Sequence, residues 1–392
     1  MFSRRTAWTR QPTPLAQLRA DLQADGQSVC DLTDTNPTQQ GFAYAPDVIA
    51  TCFPPCPHYS PEPLGLETAR HAIHRYLQTH GGQLTPDQLW IGASTSELYA
   101  HLMHLLGDPG DCWLVPEPGY PLLDMIADTA GLSLQTYPLP LATDGYISMD
   151  ALDSVRAQAP RCRAIVVVHP HNPTGHLLAP DQLEHLTTYC AAHELALVID
   201  EVFLDYPLDR DPPLPTAARP WPCLTFTLSG LSKVALLPQA KLAWAAVTGP
   251  AQWAQEALER AALMADTYLN TATTIQTGAA QALAHAPAMQ EQVRRRCRRN
   301  LSIAQQVFAE TEITVRPPPG GWACLLRLPA LQDDDAWAFT LLKHQQVLTQ
   351  PGHLFGLDRL ARGPHLVLSL LVHSDIFLLG CERLLAHVQQ KE

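Results

Sequence analysis

Short apolar runs alternate with longer helical patterns from about residue 89 to about residue 265 of this 392-residue chain. Such alternation is typical of parallel strands joined by crossover helices, and it predicts an α/β layer structure. Gly, Pro and Asp mark the strand ends, as in segments 108–111 and 116–119. The predicted strands cover residues 89–92, 112–116, 164–169, 195–200, 224–228 and 242–248, and the predicted helices cover residues 96–106, 120–130, 181–193 and 251–265.

The pattern changes after about residue 286, where a long charged helix reaches residue 310 and β-type runs follow at 321–328 and 365–371. These elements predict a second, smaller α+β domain. The first 45 residues hold turn signals but no complete βαβ unit, so we expect them to pack on this domain or on a partner subunit. The predicted division is an N-terminal segment at 1–45, a large domain at 46–285 and a small domain at 286–392.

Composition argues against nucleic-acid, membrane and metal-binding functions. The net charge is -12, and the one dense basic stretch, at 294–299, lies in a helical pattern that predicts a solvated face. No apolar run approaches the roughly 20 residues of a membrane span, and the N-terminus lacks the apolar core of a secretion signal, so we expect a cytoplasmic protein. The ten cysteines are scattered and the 17 histidines show no H-E-x-x-H spacing, so we expect reduced thiols and no metal.

Candidate site residues follow the predicted strands, because ligands bind beyond the carboxyl ends of the strands in open parallel sheets. After the strand at 89–92, Ala93 and Ser94 belong to a small-residue turn that opens a helix. Backbone N–H groups and the helix dipole favour a phosphate at such a turn. The alternative is a capping box, in which Ser94 and Glu97 satisfy the helix end without a ligand.

Two further polar residues follow strands of the same predicted sheet. Asp200 ends an apolar run, so its carboxylate emerges at a buried edge, and no lysine or arginine lies within eight residues of it. Its cationic partner must come from elsewhere in the fold or from a ligand, unless Asp200 only caps the next element. Asn172 begins an N-P-T-G segment that offers an amide donor, although a turn alone also explains this segment.

Lysines are scarce in this chain, with four, at positions 233, 241, 343 and 391, against 22 arginines. Lys233 follows the predicted strand at 224–228 across a short turn, at the same edge of the sheet. Its neighbours Leu231 and Val234 would partly desolvate the amine, which lowers its pKa and makes it a better nucleophile. A lone lysine is otherwise more often a surface charge.

A phosphate cradle, a carboxylate that needs a cation, a carbonyl-trapping lysine and an amide donor together describe a pocket for pyridoxal 5'-phosphate (PLP). The order and spacing of these motifs resemble the class I/II aminotransferases of PLP fold type I, of which aspartate aminotransferase is a member, from about residue 31 to about residue 385. The resemblance implies an α/β fold with a large domain, whose mostly parallel sheet is flanked by helices, and a smaller α+β domain.

The resemblance also implies roles for individual residues. Lys233 would hold PLP as a Schiff base, Asp200 would pair with the pyridinium nitrogen and Asn172 would donate to the phenolic oxygen. Tyr120 matches the aromatic residue that stacks on the ring, although it could be an ordinary core tyrosine.

The remaining carried-over roles concern the phosphate. Ala93 and Ser94 would bind it, and Lys241 stands where an arginine normally grips it, with the charge but without the bidentate fork. Gly230 occupies the place of a phosphate-binding serine. Tyr59 resembles the tyrosine that reaches the phosphate of the neighbouring subunit, which implies a homodimer with shared active sites.

Other positions depart from the family pattern at the ring and the substrate. Phe203 replaces a tyrosine whose hydroxyl donates to the phenolic oxygen, unless Tyr206 donates instead. Val367 or an apolar neighbour stands where an arginine normally holds the substrate carboxylate, and Thr35 replaces a glycine close to that carboxylate. A displaced anchor could come from two arginines in the loop before this strand, Arg359 and Arg362.

The resemblance implies a PLP-dependent transaminase that moves an amino group between an amino donor and a keto acid by a Schiff-base ping-pong mechanism. Fold and cofactor alone do not fix the reaction. A PLP-dependent lyase acting on an amino acid is the first alternative. A non-catalytic PLP-binding regulatory protein is the second, although no helix-turn-helix pattern precedes residue 31.

Overall fold

The computed structural model describes residues 1–143, 145–360 and 363–390. In chain order the strands are β1 (Cys30–Asp31), β2 (Leu89–Gly92), β3 (Cys112–Glu117), β4 (Ser133–Pro138), β5 (Cys162–Val168), β6 (Ala196–Asp200), β7 (Thr225–Gly230), β8 (Ala243–Thr248), β9 (Thr314–Arg316), β10 (Ala323–Arg327), β11 (Val347–Leu348), β12 (Gln350–Pro351) and β13 (His365–Ser369). The α-helices are α1 (Pro14–Ala24), α2 (Pro46–Cys52), α3 (Glu67–Thr79), α4 (Thr95–Leu106), α5 (Leu122–Ala130), α6 (Met149–Gln158), α7 (Pro180–Ala192), α8 (Leu231–Val234), α9 (Ala251–Tyr268), α10 (Thr273–Val307), α11 (Asp334–Gln345), α12 (Leu357–Leu360) and α13 (Ser374–Gln389).

Seven strands form the large sheet, in the order β2-β8-β7-β6-β5-β3-β4. Strand β8 is antiparallel to both of its neighbours, and the remaining pairs are parallel. Strands β2, β3, β5, β6 and β7 therefore point in one direction, and their carboxyl ends meet at one edge. Since the loops after these strands carry the candidate residues, the topology gathers them on one side of the molecule.

The central strands are apolar along their whole length because helices cover both faces of the sheet. Val166 and Val198 lie in one hydrophobic cluster with Leu98 of α4. Ile165 and Leu197, one residue earlier in each strand, pack on the opposite face in a second cluster. The alternation of side chains along the strands thus builds two cores from one sheet.

A four-stranded antiparallel sheet, β12-β13-β10-β9, follows later in the chain. Leu366 and Leu368 of β13 pack with Trp337 of α11 and Phe377 of α13 in a third cluster. Strand β1 pairs with β11, so the N-terminal segment contacts the C-terminal part of the chain. Helix α10 runs without a break through residue 286, and the division at that residue stays a prediction.

The structure contains the six predicted strands of the large sheet, each within two residues of its predicted ends. It adds β4, an edge strand with the sequence S-L-Q-T-Y-P whose polar residues concealed it. Among the described residues, no helix combines the length and hydropathy that a membrane span requires. The architecture is the predicted one, an α/β sheet unit with a smaller sheet unit beside it.

Candidate active site

Lys233 lies in the short helix α8, directly after the carboxyl end of β7. Burial lowers the pKa of its amine to about 8, against the opposing effect of the Asp200 charge. Lys233 is half-buried, and an amine with this pKa is neutral in a substantial fraction of molecules near pH 8, where the neutral form is the nucleophile. The structure therefore supports the interpretation of Lys233 as a reactive amine.

Two aromatic rings flank the Lys233 amine. Its Nζ lies 4.8 Å from the ring centroid of Trp322 and 5.9 Å from that of Phe203. The hydroxyl of Tyr206 donates to the main-chain oxygen of Lys233 at 2.5 Å. Because that hydroxyl is engaged with the backbone, it is a poor candidate for the donor that Phe203 lacks, and the position of Phe203 toward a cofactor stays a prediction.

Asp200 is the last residue of β6, and both of its carboxylate oxygens accept hydrogen bonds. The Val202 N–H donates to Oδ1 at 3.1 Å, and the Tyr99 hydroxyl donates to Oδ2 at 3.2 Å. Burial raises the pKa of Asp200 to about 6, and these two bonds and the Lys233 charge oppose the rise. No ion pair of Asp200 occurs within the described part of the chain, so the carboxylate suits a cationic ligand atom such as a protonated pyridine nitrogen.

The N-terminus of α4 is capped from within. Ser94 Oγ accepts from the Glu97 N–H at 3.1 Å, and the Ala93 N–H donates to Glu97 Oε2 at 2.5 Å. Ser94 thus caps the helix, but the Glu97 carboxylate accepts from the Ala93 N–H in place of the Ser94 N–H, so one half of the predicted capping box is present. The following N–H groups, on Thr95 and Ser96, are the first of the helix and have no intrahelical acceptor, so they are the donors best placed for an anion. Phosphate binding by Ala93 and Ser94 stays a prediction.

The loops after β5 and β3 bring two more candidates to the same edge. The His169 N–H donates to the Asp200 main-chain oxygen at 2.8 Å, which extends the pairing of β5 with β6 toward Asn172. Asn172 is half-buried. Tyr120 is 52% exposed, so it is not the core tyrosine of the alternative interpretation. An exposed ring at this edge is available to a ligand.

Tyr59 and Lys241 lie at the surface of the single chain. Tyr59 is 59% exposed, and its loop is held by Asn270, whose side-chain amide donates to the main-chain oxygen of Ser60 at 3.2 Å. Lys241 is exposed, two residues before β8. The contributions of both residues to a phosphate site stay predictions.

Val367 lies in an apolar environment where the family pattern has an arginine. It packs with Leu325, Phe355 and Leu357, which form one cluster with Leu141. The strand register places Val367 opposite Leu325 of β10. The face that would carry a substrate carboxylate anchor is thus hydrophobic at this point.

Three arginines and one threonine bear on the prediction that the usual carboxylate anchor is replaced. Leu325 lies opposite Arg316 of β9, whose guanidinium donates to the main-chain oxygen of Leu141 at 2.5 Å. Arg362 and the side chain of Arg359 lie outside what the structure describes. Thr35 is exposed in a loop that Ser369 holds through the Asp34 oxygen at 2.7 Å.

Sequence reasoning missed two residues that the fold brings to this site, Tyr99 and Trp322, and it included Thr95 and Ser96 in the predicted phosphate turn without assigning the phosphate to them. Tyr99 occupies a helical position typical of a core aromatic residue, and only the packing of α4 on β6 places its hydroxyl at Asp200. Trp322 comes from beyond residue 286, far from Lys233 in the chain. The orphan N–H groups of Thr95 and Ser96 follow from the helix start, which was predicted one residue late.

Residues 58–364 match the family model described as aminotransferase class I and II. The chain is 32% identical over 260 residues to the alanine aminotransferase of Mycobacterium tuberculosis strain H37Rv, which covers 64% of this chain and 59% of the relative. It is 30% identical over 258 residues to the glutamate-pyruvate aminotransferase AlaA of Escherichia coli strain K12, which covers 64% of this chain and 62% of the relative. The chain thus spans about three fifths of the length of these curated relatives.

Solved structures share the fold over the whole chain. An alanine aminotransferase from Pyrococcus furiosus superposes with a TM-score of 0.87 at 20% identity and covers 100% of both chains. A Thermus thermophilus aspartate aminotransferase variant superposes with a TM-score of 0.85 at 21% identity and covers 99% of both. At this identity the likeness shows the fold.

Proposed function

Since the chain belongs to the class I and II aminotransferase family, we propose that it is a PLP-dependent transaminase that moves an amino group between an amino acid and a keto acid. The observation that carries the proposal is that a half-buried amine of lowered pKa, on Lys233, and a half-buried carboxylate of raised pKa, on Asp200, lie close to each other, while Asp200 has no ion-pair partner among the described residues. Both stand at the carboxyl edge of the large sheet.

The residues present fit the cofactor. Lys233 would attach it covalently, Asp200 would hold the proton of its ring nitrogen and Asn172 would donate to its phenolic oxygen. The first N–H groups of α4, on Thr95 and Ser96, would bind its phosphate. When bound, PLP supplies an electron sink for the negative charge that forms at the substrate α-carbon.

Side chains of the protein would carry out the proton transfer and stabilise the charges that accompany it. The Lys233 amine would accept the proton that leaves the substrate α-carbon, as general base, and would then donate it two bonds away, across the substrate nitrogen, as general acid. A pKa of about 8 suits both roles near neutral pH. Asp200 keeps positive charge at the ring nitrogen while this proton moves, because a buried carboxylate is most stable beside a cation. The rings of Trp322 and Phe203 limit the access of water to the amine.

We extend the proposal to a homodimer with shared active sites, a small-molecule amino donor and a keto acid acceptor. Three large side chains, Tyr59, Tyr268 and Leu269, are 59%, 64% and 68% exposed. Asn270, next to Leu269, donates to the main-chain oxygens of Ser60 and Glu62, so the loop of Tyr59 is tied to the end of α9, which carries Tyr268 and Leu269. Exposed apolar groups on linked loops suit an interface between copies of the chain.

The dimer can be tested by mixing two inactive variants, Tyr59→Phe and Lys233→Ala. Hybrid dimers should contain one intact site and recover up to a quarter of the activity, while each variant alone stays inactive. Sedimentation that shows a monomer at working concentration would refute this part.

A cytoplasmic location belongs to the same proposal, and it is supported by the ten unpaired cysteines, nine of them buried.

The reaction can be tested by mixing the PLP-loaded protein with a panel of amino acids and following the cofactor absorbance. Transamination predicts conversion of the cofactor to its pyridoxamine form with one equivalent of keto acid. A lyase would release ammonia with the keto product, and a regulatory protein would give neither signal. The names of the relatives make alanine and glutamate the first donors to try.

A further inference from the structure

Tyr99 is a buried tyrosine in the second turn of α4 whose hydroxyl points at the site. The side chain is 4% exposed and packs in the cluster that covers one face of the large sheet. Its hydroxyl donates to Asp200 Oδ2 at 3.2 Å. A phenol this deep in an apolar core needs a hydrogen-bond acceptor, and Asp200 is the acceptor that the fold supplies.

The second partner of Asp200 is a main-chain group. The Val202 N–H, two residues along the chain, donates to Oδ1 and orients that oxygen. Tyr99 is thus the one side-chain donor that Asp200 has among the described residues. It occupies one lone pair of Oδ2 and leaves the remaining acceptor capacity of the carboxylate for a ligand atom.

The charge balance at Asp200 depends on few groups. Burial disfavours its ionised form, and the charge of the neighbouring Glu201 would disfavour it further. The Lys233 charge and the two hydrogen-bond donors favour the ionised form. Once Lys233 is joined to a cofactor, it no longer carries a free ammonium group. The two hydrogen-bond donors then supply a larger share of the stabilisation of the ionised Asp200 carboxylate.

We propose that Tyr99 is a positioning residue that fixes the direction of the Asp200 carboxylate and keeps the shared proton on the ring nitrogen of the cofactor. The inference rests on the proposed function. Helix α4 would then serve the cofactor in two ways. Its first N–H groups would face the phosphate, and about one turn later the Tyr99 hydroxyl would orient Asp200, the partner of the ring nitrogen. Loss of the hydroxyl should let the proton move toward Asp200, because a carboxylate with one donor fewer binds a proton more tightly.

The test compares Tyr99→Phe with Tyr137→Phe in holoenzyme loaded with PLP labelled with ¹⁵N at the pyridine position. Tyr137 is a matched control, since it is 1% exposed and its hydroxyl donates to the Val166 main-chain oxygen at 2.8 Å. The ¹⁵N chemical shift of the ring reports its protonation without reference to activity. Asp200→Asn gives the shift of a ring without its carboxylate partner.

We expect the Tyr99→Phe shift to lie between those of the wild type and Asp200→Asn, and the Tyr137→Phe shift to match the wild type. Turnover of Tyr99→Phe should fall by about 2- to 12-fold, the range of one net hydrogen bond of 0.5–1.5 kcal/mol. A wild-type shift in Tyr99→Phe beside a displaced shift in Asp200→Asn would overturn the role of Tyr99 and leave the proposed function standing. Equal displacement in both tyrosine variants would overturn it as well, since the effect would then be general to the sheet. An undisplaced Asp200→Asn shift would remove the assignment of Asp200 to the ring nitrogen, and the inference with it.

Discussion

Asp111 and Asp200 are carboxylates at opposite edges of the large sheet, and their surroundings differ. Asp111 precedes β3 at the amino edge and accepts from Arg161 and Arg163 at 2.6 and 2.7 Å. These arginines, Arg163 foremost, lower the pKa of Asp111 to about 2. Asp200 at the carboxyl edge has two neutral donors, and burial raises its pKa to about 6.

The difference is the one we expect between a structural carboxylate and the site residue that we propose Asp200 to be. At the amino edge the chain supplies both cations, so the charge of Asp111 is balanced within the protein. At the carboxyl edge the fold holds Asp200 in place and leaves its charge largely uncompensated. A buried carboxylate without an ion-pair partner costs stability, and such a cost is typical of a site that a ligand completes.

The largest effect should come from removing Lys233, whose amine carries the positive charge that acts on Asp200 among the described residues. Lys233→Ala should lose the visible absorbance of bound cofactor and more than about 10³-fold in turnover, because both the attachment and the proton transfer at Nζ are gone. Lys343→Ala, which removes an exposed lysine of α11, is the control and should behave as wild type. Borohydride labelling that maps to Lys241 or Lys343 would contradict the assignment.

The second-largest effect is a difference in turnover between variants of the two carboxylates. Asp200→Asn should lower turnover by about 10²-fold or more, since the amide cannot hold the ring proton as a carboxylate does. Asp111→Asn should keep near-normal turnover, because it changes an ion pair at the far edge of the sheet. Steady-state kinetics of both holoenzymes tests the contrast, and near-normal turnover in Asp200→Asn would break it.

The same two variants should change stability in opposite directions. The pKa of Asp200 is higher in the folded chain than the usual 3.9, so its effect on folding becomes unfavourable as pH rises from about 4 to about 6. The pKa of Asp111 is lower than usual, so its favourable contribution is present above about pH 4 and is lost as pH falls toward 2. Denaturant unfolding of the cofactor-free proteins at pH 7 should show Asp200→Asn more stable by about 1–2 kcal/mol and Asp111→Asn less stable by about 1 kcal/mol. At pH 4 the gain of Asp200→Asn should vanish.

The smallest effect concerns Phe203, beside the Lys233 amine. Phe203→Tyr adds a hydroxyl that can donate to the phenolic oxygen and stabilise its negative charge. The pKa of the link between Lys233 and the cofactor, read from the pH dependence of the visible absorbance, should fall by up to about one unit. Asn172 donates in both proteins, so the change is partial. An unchanged or higher pKa would mean that Phe203 does not face the cofactor.

The sequence predicted those parts of the molecule that local patterns determine. The central strands are continuous apolar runs bounded by Gly, Pro and Asp, so their positions followed from composition and spacing. The edge strand β4 was missed because its exposed residues are polar, and it exists through its pairing with β3. The helix at 273–307 begins earlier than predicted, since its first turns pack against α2 and α3 rather than follow a charge pattern.

The residues of the candidate site also fall into those that local patterns predict and those that only packing brings together. Lys233, Asp200 and Asn172 each follow a recognisable strand, so position alone brought them into the prediction. Tyr99 and Trp322 required the packing of a helix and of the second sheet unit against those strands, which no local window contains. The two arginines of Asp111 lie about 50 residues from it in the chain and meet it only through the pairing of β3 with β5.

Strand β8 runs antiparallel to β7, so the connection between them, which carries Lys233, begins and ends at the same edge of the sheet. Gly230 at the end of β7 lies opposite Ala243 at the start of β8, so the chain leaves the sheet edge and returns to it at the same place. A side-chain carbon on Gly230 would lie 3.0 Å from both the Ala243 Cβ and the Leu242 oxygen. These contacts are tighter than ordinary van der Waals distances, so a serine at position 230 would require the connection to shift by a few tenths of an ångström. Lys233 and Lys241 both lie in the connection between β7 and β8. An insertion between them would therefore change the number of residues that separates the two amines.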